Sequence, residues 1–414
     1  MDRVKQPASN ILPYRSSVPA SENRRGLVIL IALGLLTRVA LAACSVGTND
    51  AVTFLRLGKE VHQWGLLPTY RQDVELNHPP IPSYWAAEVY RLTAAHPQAF
   101  SFVFKLPSIL ADVAVAWLLW RILLPHVGPR RALATAALYA WCLDAILVSG
   151  YHCNTDPIYA FLCLLCLWLI ADKRWYFRAG LVLGAAVNVK LTPILLAAPL
   201  LLNCRDWKQA AKFVAGLSLG AIPFLPILLA SAAVRDGFRG NALAYNSNLD
   251  KWGIGFFLLP NGPDNMLPWD YDPVHSAGVY YYFHGRYLIL ALVGAWSVAS
   301  RLLGRWNLYE IAAVTFAVFL IFAPGFGVQY TCMVLPLLFV IRPKLATVYG
   351  TAAGLFLLAV YFINWTGEFP LFSYFHSLFP MPSPWFGILA WATLVAFVVI
   401  ALVRPAHLED RGVT

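Results

Sequence analysis

The chain has 414 residues, of which 59% are hydrophobic and only 13% charged, with a formal net charge of +10. Soluble domains carry about 25% charged residues, so this composition excludes a soluble globular enzyme and points to an all-α, polytopic integral membrane protein. In such a chain the basic balance reports sidedness, and no nucleic-acid partner is expected.

Residues 1–25 are polar and basic, and the apolar run that follows, at about 26–47, is long enough to span, so no cleavable signal peptide is evident. Further apolar runs fall at about 102–124, 132–149, 157–171, 178–203, 211–233, 286–303, 308–323, 327–341, 345–364 and 385–404. The run 178–203 carries Asn188, Lys190 and Pro193 at its centre. Read as two short helices turning near Lys190, it gives twelve segments and puts both termini on one side. That side then collects Arg3, Lys5, Arg15, Arg24 and Arg25 from the tail. It also collects Arg121, Arg130, Arg131, Lys173, Arg174, Arg178, Arg205, Lys208, Lys212, Arg301, Arg305, Arg342, Lys344, Arg404 and Arg411. The short loops opposite, at 150–156, 324–330 and 365–384, hold no Lys or Arg. This asymmetry is the positive-inside pattern, so both termini are expected in the cytoplasm of a plasma (inner) membrane protein. Half-helices of this length meet in a protein-lined cavity, where irregular backbone is tolerated. Two long loops, 48–101 and 234–285, are then extracytoplasmic. Of the seven cysteines, Cys163 and Cys166 form a CxxC inside "FLCLLCLWLI", with no other ligand nearby, which fits helix packing rather than a metal.

In the first long loop Asp50 follows "GTN" at the end of the first span. From there Phe54, Leu57, Val61 and Trp64 recur at steps of 3, 4 and 3, which predicts an amphipathic helix on the membrane surface with Asp50 as its N-cap or just before it. "NHPP" at 77–80 enforces extended backbone. A second interfacial helix, with Tyr84, Trp85 and Tyr90, follows it.

"GTND", the interfacial helix and "NHPP", then "YHCNTDPIYAFLCLL", "AGLVLGAAVNVKLTPILL" and "GFGVQYTCMVLP", in this order, resemble the GT-C superfamily. These are polytopic glycosyltransferases that use polyprenyl-phosphate-linked sugars, with bacterial members and relatives among N-glycan-assembly glucosyltransferases and protein mannosyltransferases. The resemblance covers about residues 26–340. It implies a catalytic transmembrane module over 26–285, a C-terminal transmembrane module over 286–404 and cytoplasmic tails at 1–25 and 405–414. It also implies that Asp50, the matching first-loop acid, is the catalytic base or a metal ligand. Metal-using relatives carry two adjacent acids there; Asn49-Asp50 favours a metal-independent enzyme with no cofactor. The expected activity is transfer of a hexose such as mannose or glucose, or of a pentose, from a polyprenyl-phosphate carrier to a glycan or lipid-linked acceptor at the extracytoplasmic face. The alternative is a polytopic lipid-linked-glycan transporter or flippase, since Lys190, Arg38 and Asp112 also suit a midplane site. A third reading is a non-catalytic assembly scaffold.

The remaining polar residues carry two readings each. Arg38 and Asp112 pair with each other, or Arg38 meets a lipid phosphate. His78 anchors its loop or contacts substrate. In "YHCNTDP", Asp156 is either a cap ahead of Pro157 or a substrate ligand, with His152 and Asn154 as sugar ligands. Lys190 is structural or a point charge for phosphate. In the second long loop Tyr245, Asn246, Lys251 and Trp252 offer hydrogen bonds and a stacking face for a sugar. His284 and Arg286, at its re-entry to the membrane, are placed to hold a carrier phosphate, or Arg286 is an ordinary interfacial anchor. Asp264, Asp270 and Asp272 bind a cation or, the favoured reading, form a solvated turn. Gln329, beside Tyr330, is expected to line the same cavity.

Overall fold

The computed structural model describes residues 20–243, 252–254, 273–364 and 383–406. Every regular element among them is helical, as expected where backbone N–H and C=O groups must be satisfied without water. Helix α1 (Ala20–Ala43) packs on α4 (Phe100–Ala140). Between them α2 (Asn49–Trp64) and α3 (Pro80–Leu92) build the first long loop. Next come α5 (Asp156–Ala171), α6 (Tyr176–Val189), α7 (Thr192–Leu202) and α8 (Trp207–Gly220). The remainder are α9 (Pro273–Leu303), α10 (Leu308–Phe322), α11 (Val328–Ile341), α12 (Pro343–Asn364) and α13 (Ser383–Val403).

Five helical segments are long and apolar enough to cross a membrane: Arg24–Ala43, Pro97–Ala140, Ser276–Leu303, Pro343–Tyr361 and Phe386–Val403. A sixth forms if α8 and Ile222–Leu229, bent by 47°, count as one span. The chain is thus polytopic, but helix length alone yields fewer crossings than the twelve apolar segments of the sequence. The difference lies in the runs 102–124 and 132–149, which count as the one segment Pro97–Ala140, and in five apolar helices of 10–17 residues, α5, α6, α7, α10 and α11. At about 1.5 Å per residue these fall short of a hydrocarbon core about 30 Å thick. Three of them, α5, α10 and α11, are surrounded by protein, and with α4, α6, α12 and α13 they carry the main core.

The long α4 is broken at Gly128 (φ 76°, ψ 168°), which separates the two runs expected there. The second run stops at Ala140 and finishes in a short helix, Leu143–Ile146, and a π-helical turn, Leu147–Tyr151. Arg38 is 1% exposed, and its Nε donates to Asp112 at 2.6 Å. Ser149 Oγ donates to the same carboxylate oxygen at 2.9 Å, and the Tyr139 hydroxyl to the other. Of the two readings of Arg38, the buried pair is the one found.

The apolar stripe of α2 is present, but it faces protein. Phe54 packs with Ala86, Val89, Phe100 and Phe104, and Leu57 and Val61 with Leu66, Tyr70 and Ile227. Trp64, expected in that stripe, is 53% exposed. A helix buries its apolar face wherever apolar partners stand, and α3 and the start of α4 supply them here.

Helices α6 and α8 meet at two reciprocal small-residue steps, Gly180-xxx-Gly184 and Gly216-xxx-Gly220. A Cβ on Gly180 would fall 2.0 Å from the Phe213 carbonyl oxygen, and one on Gly216 2.0 Å from that of Phe177. Backbone-to-backbone packing of this kind holds helices together where lipid removes the hydrophobic drive. Asn188 Nδ2 adds hydrogen bonds to the carbonyls of Gly184 and Gly220, both at 2.8 Å. The end of α6 is thereby fixed, and Lys190 follows in extended backbone (φ −154°, ψ 146°) before α7 begins. The break expected near Lys190 lies there.

Candidate active site

Asp50 is placed by a turn that only glycine permits. Gly47 has φ +109°, and a Cβ there would lie 2.6 Å from the Tyr151 carbonyl oxygen. The close approach lets Thr48 Oγ1 donate to the His152 carbonyl at 2.9 Å. The same hydroxyl accepts from Asp50 N at 3.3 Å, so Thr48 caps α2. Asp50 is therefore not the cap. It occupies the first turn of α2, at the positive end of the helix dipole.

Both sequence loops expected at the site meet at this carboxylate. Asp50 Oδ2 accepts from Asn154 Nδ2 and lies 3.2 Å from His152 Nε2. Asn154 is itself held: its Oδ1 accepts from Thr155 N and its carbonyl from Ser108 Oγ, both at 2.6 Å. Burial by itself would raise the Asp50 carboxyl. The hydrogen bond and charge of His152, with Asn154 and His78 beside it, outweigh that and hold it below the ordinary carboxylate range.

Asp50 opens onto a cavity of about 630 Å³. His78, Asn154, Lys190, Arg286 and Gln329 line it as well, so six of the expected site residues share one space. His78 lies against the Phe54 ring (centroids 4.6 Å apart), and its carbonyl accepts from the Tyr70 hydroxyl at 2.6 Å. Burial, with the Lys190 charge nearby, pushes its imidazole down to about 4, so it faces the cavity as a neutral ring. Lys190 Nζ donates to both oxygens of Asp156, at 2.8 and 3.0 Å, and stands 4.0 Å from the centre of the Tyr330 ring. Arg286 is half-buried on α9 and donates to the carbonyls of Phe283 (3.1 Å) and Leu243 (3.4 Å). Among the described residues it has no carboxylate partner.

Other expected site residues stand elsewhere. His152 is behind Asp50 and 3% exposed. Asp156 is fully buried and is not a cap: Thr155 occupies the cap position, and Asp156 opens α5 as the partner of Lys190. Trp252, read as a stacking face for sugar, is packed in the core. It is 2% exposed, stacked on Phe326 at 4.4 Å, and donates from Nε1 to the Leu320 carbonyl at 2.9 Å. Its large apolar ring finds a dry partner there. His284 is exposed, stacked on Tyr280 at 4.2 Å and away from the cavity lining. Tyr245, Asn246 and Lys251, and the acids Asp264, Asp270 and Asp272, fall outside the described residues. Two groups went unremarked in the sequence. Tyr361 on α12 puts its hydroxyl 2.6 Å from His152 Nδ1, and Thr192 lines the cavity beside Lys190. Neither has a signal in spacing; a tyrosine within the apolar run 345–364 is the nearest to one.

Among the described residues no three His, Cys, Asp or Glu side chains gather to hold a metal. The family model of glycosyltransferase family 87 matches residues 89–324, more than half of the chain. The matched range includes His152, Asn154, Asp156, Lys190 and Arg286, and leaves Asp50, His78 and Gln329 outside. A stretch of 175 residues, 42% of this chain, is 27% identical to GPI mannosyltransferase 1 of Eremothecium gossypii. The match covers 39% of that protein's length.

Proposed function

Since the chain belongs to glycosyltransferase family 87, we propose that it transfers a sugar from a polyprenyl-phosphate carrier to a hydroxyl of a glycan or lipid-linked acceptor, at the extracytoplasmic face of the inner membrane. The observation that carries this reading is an ionised carboxylate, Asp50, on the same cavity as a cation, Arg286, that has no carboxylate partner among the described residues; Glu75, also on the lining, is paired with Arg56. Asp50 takes the proton from the acceptor hydroxyl as that oxygen bonds to the anomeric carbon. The bond from that carbon to the phosphate oxygen breaks, and its electron pair leaves with the phosphate. Negative charge grows on the phosphate, and a fixed guanidinium stabilises it there. Lys190, neutralised by Asp156, contributes less charge and more shape. Neutral His78, Asn154 and Gln329 supply hydrogen bonds for sugar hydroxyls.

In this reading no divalent ion takes part. Oδ2 of Asp50 is already engaged by Asn154 and His152, and Asn49 supplies no second carboxylate. The name of the fungal relative makes mannose the first donor sugar to try, ahead of glucose and a pentose. The test is to incubate the purified protein in lipid nanodiscs with polyprenyl-phosphate sugars and candidate acceptors, and to weigh the products by mass spectrometry. General-base assistance is worth about 100- to 10,000-fold, so Asp50→Asn should lose that much while eluting as a folded monodisperse species. Near-normal transfer by Asp50→Asn would remove Asp50 from the chemistry. Substrate moved across the bilayer with no transfer product would favour a transporter.

A further inference from the structure

Behind the candidate base stands a buried chain of polar groups that touches nothing in the cavity. Asp50 Oδ2 lies 3.2 Å from His152 Nε2, and on the far side of the ring Nδ1 lies 2.6 Å from the hydroxyl of Tyr361. His152 and Tyr361 are 3% and 1% exposed. The first long loop, the 150–156 loop and α12 thus meet on one imidazole. We propose that His152 and Tyr361 are positioning residues that select which oxygen of Asp50 acts as the base.

Proton inventory sets the direction of this chain. An ionised carboxylate only accepts hydrogen bonds, so Nε2 carries the hydrogen facing Asp50. In a neutral ring Nδ1 is then an acceptor, and the Tyr361 hydroxyl donates to it. Asp50 and Tyr361 thereby hold the ring from opposite sides. Oδ2 accepts from the Asn154 amide and stands 3.2 Å from Nε2. Oδ1 has no partner among the described residues, and Asp50 opens onto the cavity. The geometry leaves Oδ1 to take the acceptor's proton, while Oδ2 holds the carboxylate still.

The ring is fixed from its backbone too. The π-helical turn Leu147–Tyr151 ends with His152 N donating to the Leu147 carbonyl at 3.0 Å, and Thr48 holds the His152 carbonyl. Such turns recur at functional sites because they re-aim one side chain. The charged and titratable groups facing Asp50 or its cavity are His78 and Glu75 from the first loop, His152 and Cys153 from the short loop, and Arg286 from α9. Lys190 faces it from the helix break, and Tyr361 from α12. Of these, His152 makes the close contact that holds the carboxylate in its ionised form.

The inference rests on Asp50 being the base, and the test separates the two. Sugar transfer from polyprenyl-phosphate mannose is measured across the pH range for the wild type, Asp50→Asn, His152→Phe, His152→Gln and Tyr361→Phe, each in nanodiscs. A hydrogen bond to a charged group is worth about a factor of ten or more. His152→Phe should lose at least about tenfold in kcat/KM, and the loss should deepen in the acid half of the profile, where Asp50 now protonates sooner. His152→Gln, whose amide can donate to Oδ2, should recover most of the transfer. Tyr361→Phe keeps every ring in place and should shift the acid limb in the same direction as His152→Phe. It therefore decides the matter even if His152→Phe does not fold. Transfer by Asp50→Asn would overturn the base and the positioning together. A dead Asp50→Asn with unchanged pH profiles in the His152→Gln and Tyr361→Phe variants, and no recovery by Gln over Phe, would overturn the positioning alone.

Discussion

Replacing Asp156 by Asn removes the charge that balances Lys190. In the native structure both carboxylate oxygens accept from Nζ, at 2.8 and 3.0 Å, with Asp156 fully buried and the Lys190 side chain 12% exposed. Breaking a buried pair by removing one partner costs about 3–5 kcal/mol, because the surviving charge stays desolvated. The lower end applies here. Lys190 keeps the Tyr330 ring 4.0 Å away, a contact worth about 0.5–2 kcal/mol, and it can turn toward water in the cavity. For a chain of this size a loss of about 3 kcal/mol lowers the melting temperature by roughly 3–4 °C. Thermal unfolding of the detergent-solubilised protein, followed by tryptophan fluorescence, reads this directly. Asp156→Asn combined with Lys190→Met removes the stranded charge and should melt higher than Asp156→Asn alone. If Asp156→Asn melts with the wild type, or if the two substitutions simply add, the pair is not the coupled element the geometry indicates.

Four other outcomes follow from the packing and the site. Gly216→Leu sets a side chain where even a Cβ would lie 2.0 Å from the Phe177 carbonyl oxygen, so α6 and α8 must separate and folded yield on size exclusion should collapse. Gly294→Ala, whose Cβ meets nothing within 4 Å, should express and elute normally. Arg286→Gln removes the cavity cation that has no carboxylate partner among the described residues. It should cut kcat by about 10- to 1,000-fold with little change in melting temperature, since the loss of one preorganised donor to a developing anion is of that order. Treatment with EDTA followed by re-addition of Mg²⁺ or Mn²⁺ should leave transfer unchanged; restoration by either ion would show that Asp50 shares a metal after all.

Much of the site was legible because its residues are costly in an apolar chain. Asp50, His78, Asn154, Lys190, Arg286 and Gln329 interrupt hydrophobic sequence or sit at its edges, and all six line one cavity. The break near Lys190 was legible for the same reason, since Asn188, Lys190 and Pro193 do not continue an apolar helix. Roles were harder to read. Lys190 looked like a free phosphate ligand, yet the residue that neutralises it, Asp156, lies 34 positions earlier. Trp252 looked like a sugar platform until a dry pocket against Phe326 claimed its ring.

Composition and hydropathy determine by themselves that this is an all-helical membrane protein, because burying backbone and charge in lipid leaves few alternatives. Tertiary structure decides which polar groups meet. His152 lies 102 residues from Asp50 and 209 from Tyr361 in sequence, and no local periodicity links them. They are joined by a glycine turn at Gly47 that lets two backbones touch, and by α12 closing over the 150–156 loop. Those contacts depend on shape and desolvation across distant segments, so the opening acid of the first loop acquires its environment only when the bundle is folded.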